Sequence, residues 1–441
     1  MMYLFTILND GTEIIHSKMQ SNSENDNNQE PIYFNRPMTT TSTNNPTPSP
    51  FPFFSSSKSH THTEIIHSSN FYNGGQRDPG EEGRKASRVL FLRSFNNWVK
   101  AVLINKYCYL LGINLSVLDL CCGRGGDLKK YFRTKVKLYV GSDLSRESLR
   151  NAKDRITKIR NERYNSDFSC KCFLIPEDLS HPDNHLMEKI QKNFYFDLVS
   201  CQFAMHYHFE SEKRARAFLK NVVARLCDGG FFIGSIVDDN VIVKRLRHRK
   251  YKENKYIKDK YTFGNEYYKI HFEQRTFPKD KGPYGIKYGF FLEDSIDKRD
   301  EEGNIKCVGE YLVIFDEFVK LCEEYDLYLV ENKNFTNFYE DNLDKYKGMF
   351  IKMLGDELGK ANRQDQWEII QLYQVFVMRK GKKEFVYNNN SKGERFHNKK
   401  QDNNNTTNTN NNNGVKYIPF LQNNPIKFSD YDPVIIEDTF E

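Results

Sequence analysis

The chain has 441 residues, with 65 Lys and Arg against 59 Asp and Glu, a net charge of +6. So mild a balance neither demands nor excludes an anionic partner. Aromatic residues make up 14 % of the chain, enough for at least one large core, and no apolar run approaches the length of a membrane span.

Met1 to Leu8 is apolar but too short for a secretory h-region. From about Lys18 to Ser59 the chain is rich in Ser, Asn, Thr and Pro, a composition that cannot bury enough apolar surface to offset the entropy of ordering. The hexapeptide Thr-Glu-Ile-Ile-His-Ser occurs at 12–17 and again at 63–68, and two copies do not make a repeat architecture. Beyond Lys383 the composition is biased again, with Asn403 to Asn413 wholly Asn and Thr. The expected organisation is therefore a mostly disordered low-complexity region at 1–74, one α/β domain at 75–382, and a mostly disordered Asn-rich tail at 383–441. The nine cysteines show no C-x-x-C pair and no His-paired zinc spacing, so no metal is expected and a reducing, intracellular setting is.

Within 75–382, Phe91-Leu-Arg-Ser-Phe-Asn-Asn-Trp-Val-Lys100 reads as a helix offering two amides and a lysine. Strand-like runs follow at Ser116–Leu120, Lys137–Asp143, Cys170–Ile175, Phe196–Phe203, Gly230–Ser235, Leu327–Asn332 and Tyr373–Arg379. Helices at Ser145–Arg163 and Ser211–Leu226 lie between them. This alternation predicts a Rossmann-like, mostly parallel sheet with helices on both faces, which binds ligands outside the carboxyl ends of its strands.

The first strand runs into Val117-Leu-Asp-Leu-Cys-Cys-Gly-Arg-Gly-Gly-Asp-Leu128, a glycine-rich strand-to-helix turn. Such a turn lets the backbone approach a nucleotide-like ligand, although glycine-rich turns also serve as plain connectors. Asp119 argues for S-adenosylmethionine (SAM), whose ammonium and sulfonium are cations, over a dinucleotide pyrophosphate. The first glycine of a G-x-G-x-x-G fingerprint is also missing. Asp143 ends the second strand, placed to hold ribose hydroxyls or simply to cap the next helix. Asp178 follows the third strand, where it could meet adenine or be a loop acid. After the fourth strand, Ser200-Cys-Gln-Phe-Ala-Met-His-Tyr-His-Phe-Glu-Ser211 crowds polar and aromatic groups beside the expected cofactor. His206 and His208 lack partners at metal-ligand spacing. Lys100 is suited to pair with the SAM carboxylate or is a plain solvated lysine.

Six blocks together are similar to the eukaryotic mRNA cap (guanine-N7) methyltransferase family over about 71–380. They are Arg93–Lys100, Val117–Leu128, Ser200–Ser211, Gly229–Gly234, Phe263–Tyr268 and Tyr284–Glu293, with a weaker seventh at Gln366–Phe376. The resemblance implies a class I SAM-dependent methyltransferase fold. It matches Lys100, Cys121, Gly123, Asp143, Asp178, Gln202 and Tyr207 to SAM-contacting positions. It matches Asn96, Asn97, Arg124, Lys130, Arg155, His206, Glu293 and Tyr373 to positions that hold the capped 5′ end. Glu293 would accept hydrogen bonds from the guanine, and Tyr373 would stack on or flank it. Two departures stand out: the family has Gly where this chain has Cys121, and Lys where it has Arg124.

The resemblance also implies the reaction, transfer of the SAM methyl to N7 of the cap of GpppN-RNA. Guanine N7 carries a lone pair and no proton, so no proton-transfer residue is expected and the site is read as a positioning device. Capped pre-mRNA or mRNA is the expected partner, with other capping enzymes or the transcription machinery as further candidates. A nuclear monomer without membrane contact is expected. The basic run Lys244 to Lys260 fits RNA phosphates or a nuclear-import signal. The competing readings are a SAM methyltransferase acting on another RNA or a small molecule, and an inactive cap- or RNA-binding module.

Overall fold

In the computed structural model the chain divides into two units, Met1–His60 and Thr61–Glu441. The structure describes residues 86–162, 170–248, 261–274, 282–296, 305–358 and 363–382, with short pieces at 5–7, 14–16, 65–66, 83, 277 and 298–299. Most of 1–74, the tail from 383 and residues 249–260 of the basic run lie outside the described residues.

In the first unit β1 (Phe5–Ile7) pairs antiparallel with β2 (Ile14–His16). In the second, β3 (Ile65–Ile66) precedes the long helix α1 (Leu90–Leu111). Strands and helices then alternate as β4 (Ser116–Leu120), α2 (Leu128–Arg133), β5 (Leu138–Asp143), α3 (Arg146–Glu162), β6 (Lys171–Pro176), β7 (Phe196–Gln202), α4 (Glu212–Ala224), β8 (Leu226–Val237) and α5 (Asp239–His248). An antiparallel stretch follows, β9 (Thr262–Gly264), β10 (Tyr268–His271), β11 (Lys287–Leu292), β12 (Lys298–Arg299) and β13 (Ile305–Tyr311). The chain returns through α6 (Phe315–Glu323), β14 (Leu327–Asn334), α7 (Phe335–Leu354), α8 (Arg363–Ile370) and β15 (Tyr373–Lys380).

Seven strands form one sheet in the order β14-β15-β8-β7-β4-β5-β6. β4 lies parallel between β5 and β7, while β15 runs antiparallel to both its neighbours. All seven strands read from the sequence are in it; β8 begins earlier than expected, at Leu226. Their near-continuous apolar runs are explained by burial on both faces. Val117, Val375 and Val377 join the core under α1, α3 and α7. Their neighbours Leu118, Phe376 and Met378 join the core under α4 and α6. Each such side chain contributes about 1.5–3 kcal/mol.

Helix α1 explains its own sequence. Phe95 and Trp98 pack edge-on against Phe350 of α7, with ring centroids 6.4 and 5.3 Å apart. The two amides between them and Lys100 are left on the other side of the helix.

The second sheet, β12-β13-β11-β10-β9 with β3 added beside β13, was not anticipated. Several of its strands are only two to four residues long, too short for alternation to register. It is fixed to the first sheet beyond the end of β7, where Gly285 N donates to Phe209 O at 2.9 Å.

Candidate functional site

Four adjacent strand ends define the site. At the end of β4, Cys121, Gly123 and Gly125 take φ of 56°, 52° and 67°. Left-handed backbone suits the two glycines but costs a residue with a Cβ roughly 1 kcal/mol. Cys121 is therefore strained at the very position where the family has Gly, with its Sγ 3.3 Å from His208 Nε2. Asp143, ending β5, is held by the chain's own backbone. Its Oδ2 accepts from Gly123 N at 2.8 Å and its Oδ1 from Ser145 N at 2.9 Å, so it ties the glycine turn to the start of α3.

Asp178, beyond β6, accepts from Ser180 N at 3.1 Å and Ser180 Oγ at 2.9 Å, with Arg214 Nη2 3.5 Å away. Partial burial works to raise its pKa, but the Ser180 bonds and the Arg214 charge win and hold it below the usual carboxylate range. Arg214 comes from α4, whose start is capped by Ser211. Gln202, ending β7, is fixed by Ser235 Oγ donating to Oε1 at 2.9 Å and by its own Nε2 donating to Ser200 Oγ at 3.2 Å.

Asp119 departs from expectation. Its carboxylate is buried and accepts from Tyr139 Oη at 2.8 Å and Tyr131 Oη at 3.5 Å. Burial, reinforced by the charge of Asp127, pushes it up to about 7. The acid read as facing the SAM cations is thus enclosed by two phenols.

Where α1 meets the turn, two lysines converge on one carboxylate. Lys100 Nζ and Lys130 Nζ lie 2.9 and 2.7 Å from Asp127 Oδ1, and Lys130 also donates to Asn97 Oδ1 at 3.1 Å. Burial alone would raise the Asp127 pKa, but the two ammonium groups hold it far below the carboxylate range. Lys130, expected at the cap, is itself only 9 % exposed, and burial lowers its pKa. Asn97 and Lys100 are one helical turn apart and so share a face. Arg155 reaches the same turn, Nη1 donating to Gly125 O at 3.4 Å, and Arg124 is half-buried within it.

The second sheet brings a further carboxylate to this end. Glu310 of β13, 1 % exposed, accepts from Tyr288 Oη at 2.6 Å through Oε2. Its Oε1 lies 3.4 Å from His206 Nε2 and 3.5 Å from Tyr207 Oη. The His206 and Tyr207 rings are 4.1 Å apart. Tyr373 starts β15, its ring 5.0 Å from that of Phe203, which follows β7. Glu293 is spent differently. It accepts from Arg88 Nη1 at 3.0 and 3.2 Å, and Arg88 also reaches Glu266 at 3.2 Å.

Sequence reasoning passed over Glu310, Asp127 and Arg214. For Glu310 a signal existed: it is the one carboxylate within Val308-Gly-Glu-Tyr-Leu-Val313, an otherwise apolar strand.

Several buried polar atoms at this end have no hydrogen-bond partner among the described residues, including Asn96 Oδ1, His206 Nδ1 and His208 Nδ1. Such atoms are costly unless something satisfies them, and a polar ligand here would do so. The acids Asp143 and Asp178 beside a glycine-rich turn fit a ribose and adenine, so the residues present suit SAM. Among the described residues there is no group of three or more His, Cys, Asp or Glu able to hold a metal. No helix among them is long and apolar enough to cross a membrane.

Known proteins match the same part of the chain. A family model described as the mRNA (guanine-N(7))-methyltransferase domain matches residues 54–381. The mRNA cap guanine-N(7) methyltransferase 1 of Oryza sativa subsp. japonica is 38 % identical over 331 residues, 71 % of this chain and 82 % of that one. Its namesake in Arabidopsis thaliana is 37 % identical over 316 residues, 68 % and 77 % of the two chains. Among solved structures, a S-adenosylmethionine-dependent methyltransferase from Clostridium acetobutylicum overlays loosely, with TM-score 0.36 and 16 % identity over 66 % of this chain and 92 % of that one.

Proposed function

The chain belongs to the mRNA (guanine-N(7))-methyltransferase family, and on that premise we propose that it transfers the methyl group of SAM to N7 of the 5′ guanosine cap of mRNA. The observation that carries this is the meeting of two differently built half-sites at one sheet end. Asp143, Asp178 and the glycine turn lie on one side, and Glu310 with His206 and Tyr207 on the other.

On the donor side Asp143 accepts the ribose hydroxyls, Asp178 faces the adenine, and Lys100 pairs with the methionyl carboxylate. Gly123 and Cys121 offer backbone, with Gln202 and Tyr207 closing the pocket. SAM supplies an electrophilic methyl on a sulfonium leaving group. On the acceptor side Arg124, Lys130 and Arg155 carry the charge that suits the triphosphate bridge, with Asn96 and Asn97 beside them. His206 and Tyr373 flank the base. Of the two carboxylates we take Glu310 as the acceptor for guanine N1 and N2 because it adjoins His206 and Tyr207, whose contacts with it the base would have to replace, whereas Glu293 lies against Arg88. Guanine N7 needs no deprotonation, so these side chains work by holding N7, methyl carbon and sulfur in line.

We take the catalytic domain as 75–382. The family match from 54 and strand β3 at 65–66 both reach ahead of that start. A nuclear monomer acting on new transcripts, alongside other capping enzymes or the transcription machinery, completes the reading. The test is incubation with methyl-labelled SAM and GpppG-ended RNA, followed by nuclease mapping of the label. Label on the cap N7 is expected. Label elsewhere would mean another SAM methyltransferase, and cap binding without transfer would mean an inactive module.

A further inference from the structure

Arg214 stands between carboxylates that belong to different halves of the site. Its Nη2 donates to Ser180 Oγ and lies 3.5 Å from Asp178 Oδ1, while its Nε lies 3.5 Å from Glu210 Oε2. Among the described residues, the bonds that hold Asp178 all end on Oδ1, which leaves Oδ2 to the adenine. Glu210 follows β7, two residues beyond the turn Met205–His208 that carries His206 and Tyr207. Its carboxylate lies against the Tyr311 hydroxyl; burial first, and then the Glu210 charge, push that phenol up to about 12. Tyr311 ends β13, immediately after Glu310.

A line of side chains, Asp178, Arg214, Glu210 and Tyr311, thus joins the adenine acid of the main sheet to the strand of the second sheet that holds Glu310. Successive side chains of a strand point to opposite faces, so Tyr311 and Glu310 anchor the end of β13 from its two sides. We propose that Arg214 is a positioning residue that couples the two half-sites: adenine bound at Asp178 orders Glu210 and Tyr311, and thereby tightens the hold of Glu310 on the cap guanine. The inference rests on the assignment of SAM and cap to these two sides.

The looseness of the line is what lets it respond to ligands. The Asp178, Arg214 and Glu210 side chains are 34, 31 and 45 % exposed, and both ion pairs are 3.5 Å long. Pairs this exposed contribute little to stability. Asp127 and its two lysines, by contrast, are at most 15 % exposed and meet at 2.7 and 2.9 Å, a fixed arrangement. In the free protein the Arg214 line is therefore only weakly ordered. A ligand that fixes one end bears the entropy cost of ordering it, and the second ligand binds a line already set. Such coupling is reciprocal, so the cap must tighten the nucleotide by the same factor as the nucleotide tightens the cap.

The test is calorimetry on the full-length protein, titrated with S-adenosylhomocysteine alone and again with saturating GpppG. The wild type should bind the nucleotide about tenfold more tightly when GpppG is present. Arg214→Met should reduce that factor to about twofold or less, and Arg214→Lys, which keeps the charge, should restore about half of the tenfold. Tyr311→Phe removes a single hydroxyl at the far end of the line and should also bring the factor to about twofold or less; it decides alone should Arg214→Met fail to fold. A wild type without coupling overturns the proposal. So does a factor that stays near tenfold in the variants, even if nucleotide binding is weaker, because Arg214 would then only support Asp178. Failure of GpppG to bind at all would bring down the cap assignment itself and this inference with it, whereas binding without coupling brings down the inference alone.

Discussion

The turn after β4 and the pocket around Glu310 share one end of one sheet and are built on opposite plans. The turn is held by neighbours in sequence: Asp143 reaches a backbone N–H only 20 residues away, and Lys130 reaches Asp127 within one helical turn. The Glu310 pocket is held by segments far apart, 103 residues separating Tyr207 from Glu310. The first plan suits a donor whose shape never varies, because a short segment can carry the whole motif. The second recruits charge from a separate sheet, which lets the acceptor be recognised by groups that contribute little to the sheet holding the donor.

The contrast is most sharply tested by exchanging the two candidate carboxylates. Glu310→Ala should lower kcat/KM on GpppG-RNA by about 10³-fold, ~4 kcal/mol, because the base would lose a buried charged acceptor. SAM affinity should stay within twofold, and Glu293→Ala should cost under tenfold. The opposite ranking would move the guanine contact to Glu293 and dissolve the contrast.

A pH titration of stability examines the donor side's enclosed acid. Burial pushes the Asp119 carboxyl of the folded state up to about 7, well above the ordinary carboxylate range, so between that range and pH 7 the folded chain keeps a proton that the unfolded chain has released. Its contribution is present at low pH and lost as pH rises through 7. Relative to Asp119→Asn, the wild type should lose on the order of 3 kcal/mol from pH 4 to 8 in urea unfolding. A flat difference would mean that the carboxylate is charged throughout and balanced by Lys100, restoring it as a group that faces the ligand.

Asp143→Ala should weaken S-adenosylhomocysteine binding by roughly 30-fold, ~2 kcal/mol, with cap-analogue affinity unchanged. Calorimetry showing equal losses of both ligands would indicate that the turn is shared rather than divided. The smallest effect belongs to Cys121→Gly. Relief of left-handed strain should stabilise the fold by about 1 kcal/mol, less the lost thiol contact with His208. A lowered Tm would show that this contact outweighs the strain.

Much of the fold was legible in the chain. Every strand of the main sheet was visible because burial on both faces leaves a continuous apolar run. The second sheet was not visible, since its strands are short and take their pairing from across the chain. The same division runs through the site. Asp143 and Asp178 could be placed by counting from strand ends, whereas Glu310 and Glu293 look alike in sequence, each a carboxylate closing or interrupting an apolar strand.

By itself, the sequence determined the mostly parallel sheet, the glycine turn and the acids at the end of β5 and just beyond β6, because local periodicity and backbone conformation need no distant partner. Only the tertiary structure decided what surrounds each carboxylate. Arg88 claims Glu293 across 205 positions, and two tyrosines enclose Asp119. The charge state and availability of an acid depend on what packs around it, and packing is settled by the whole chain at once.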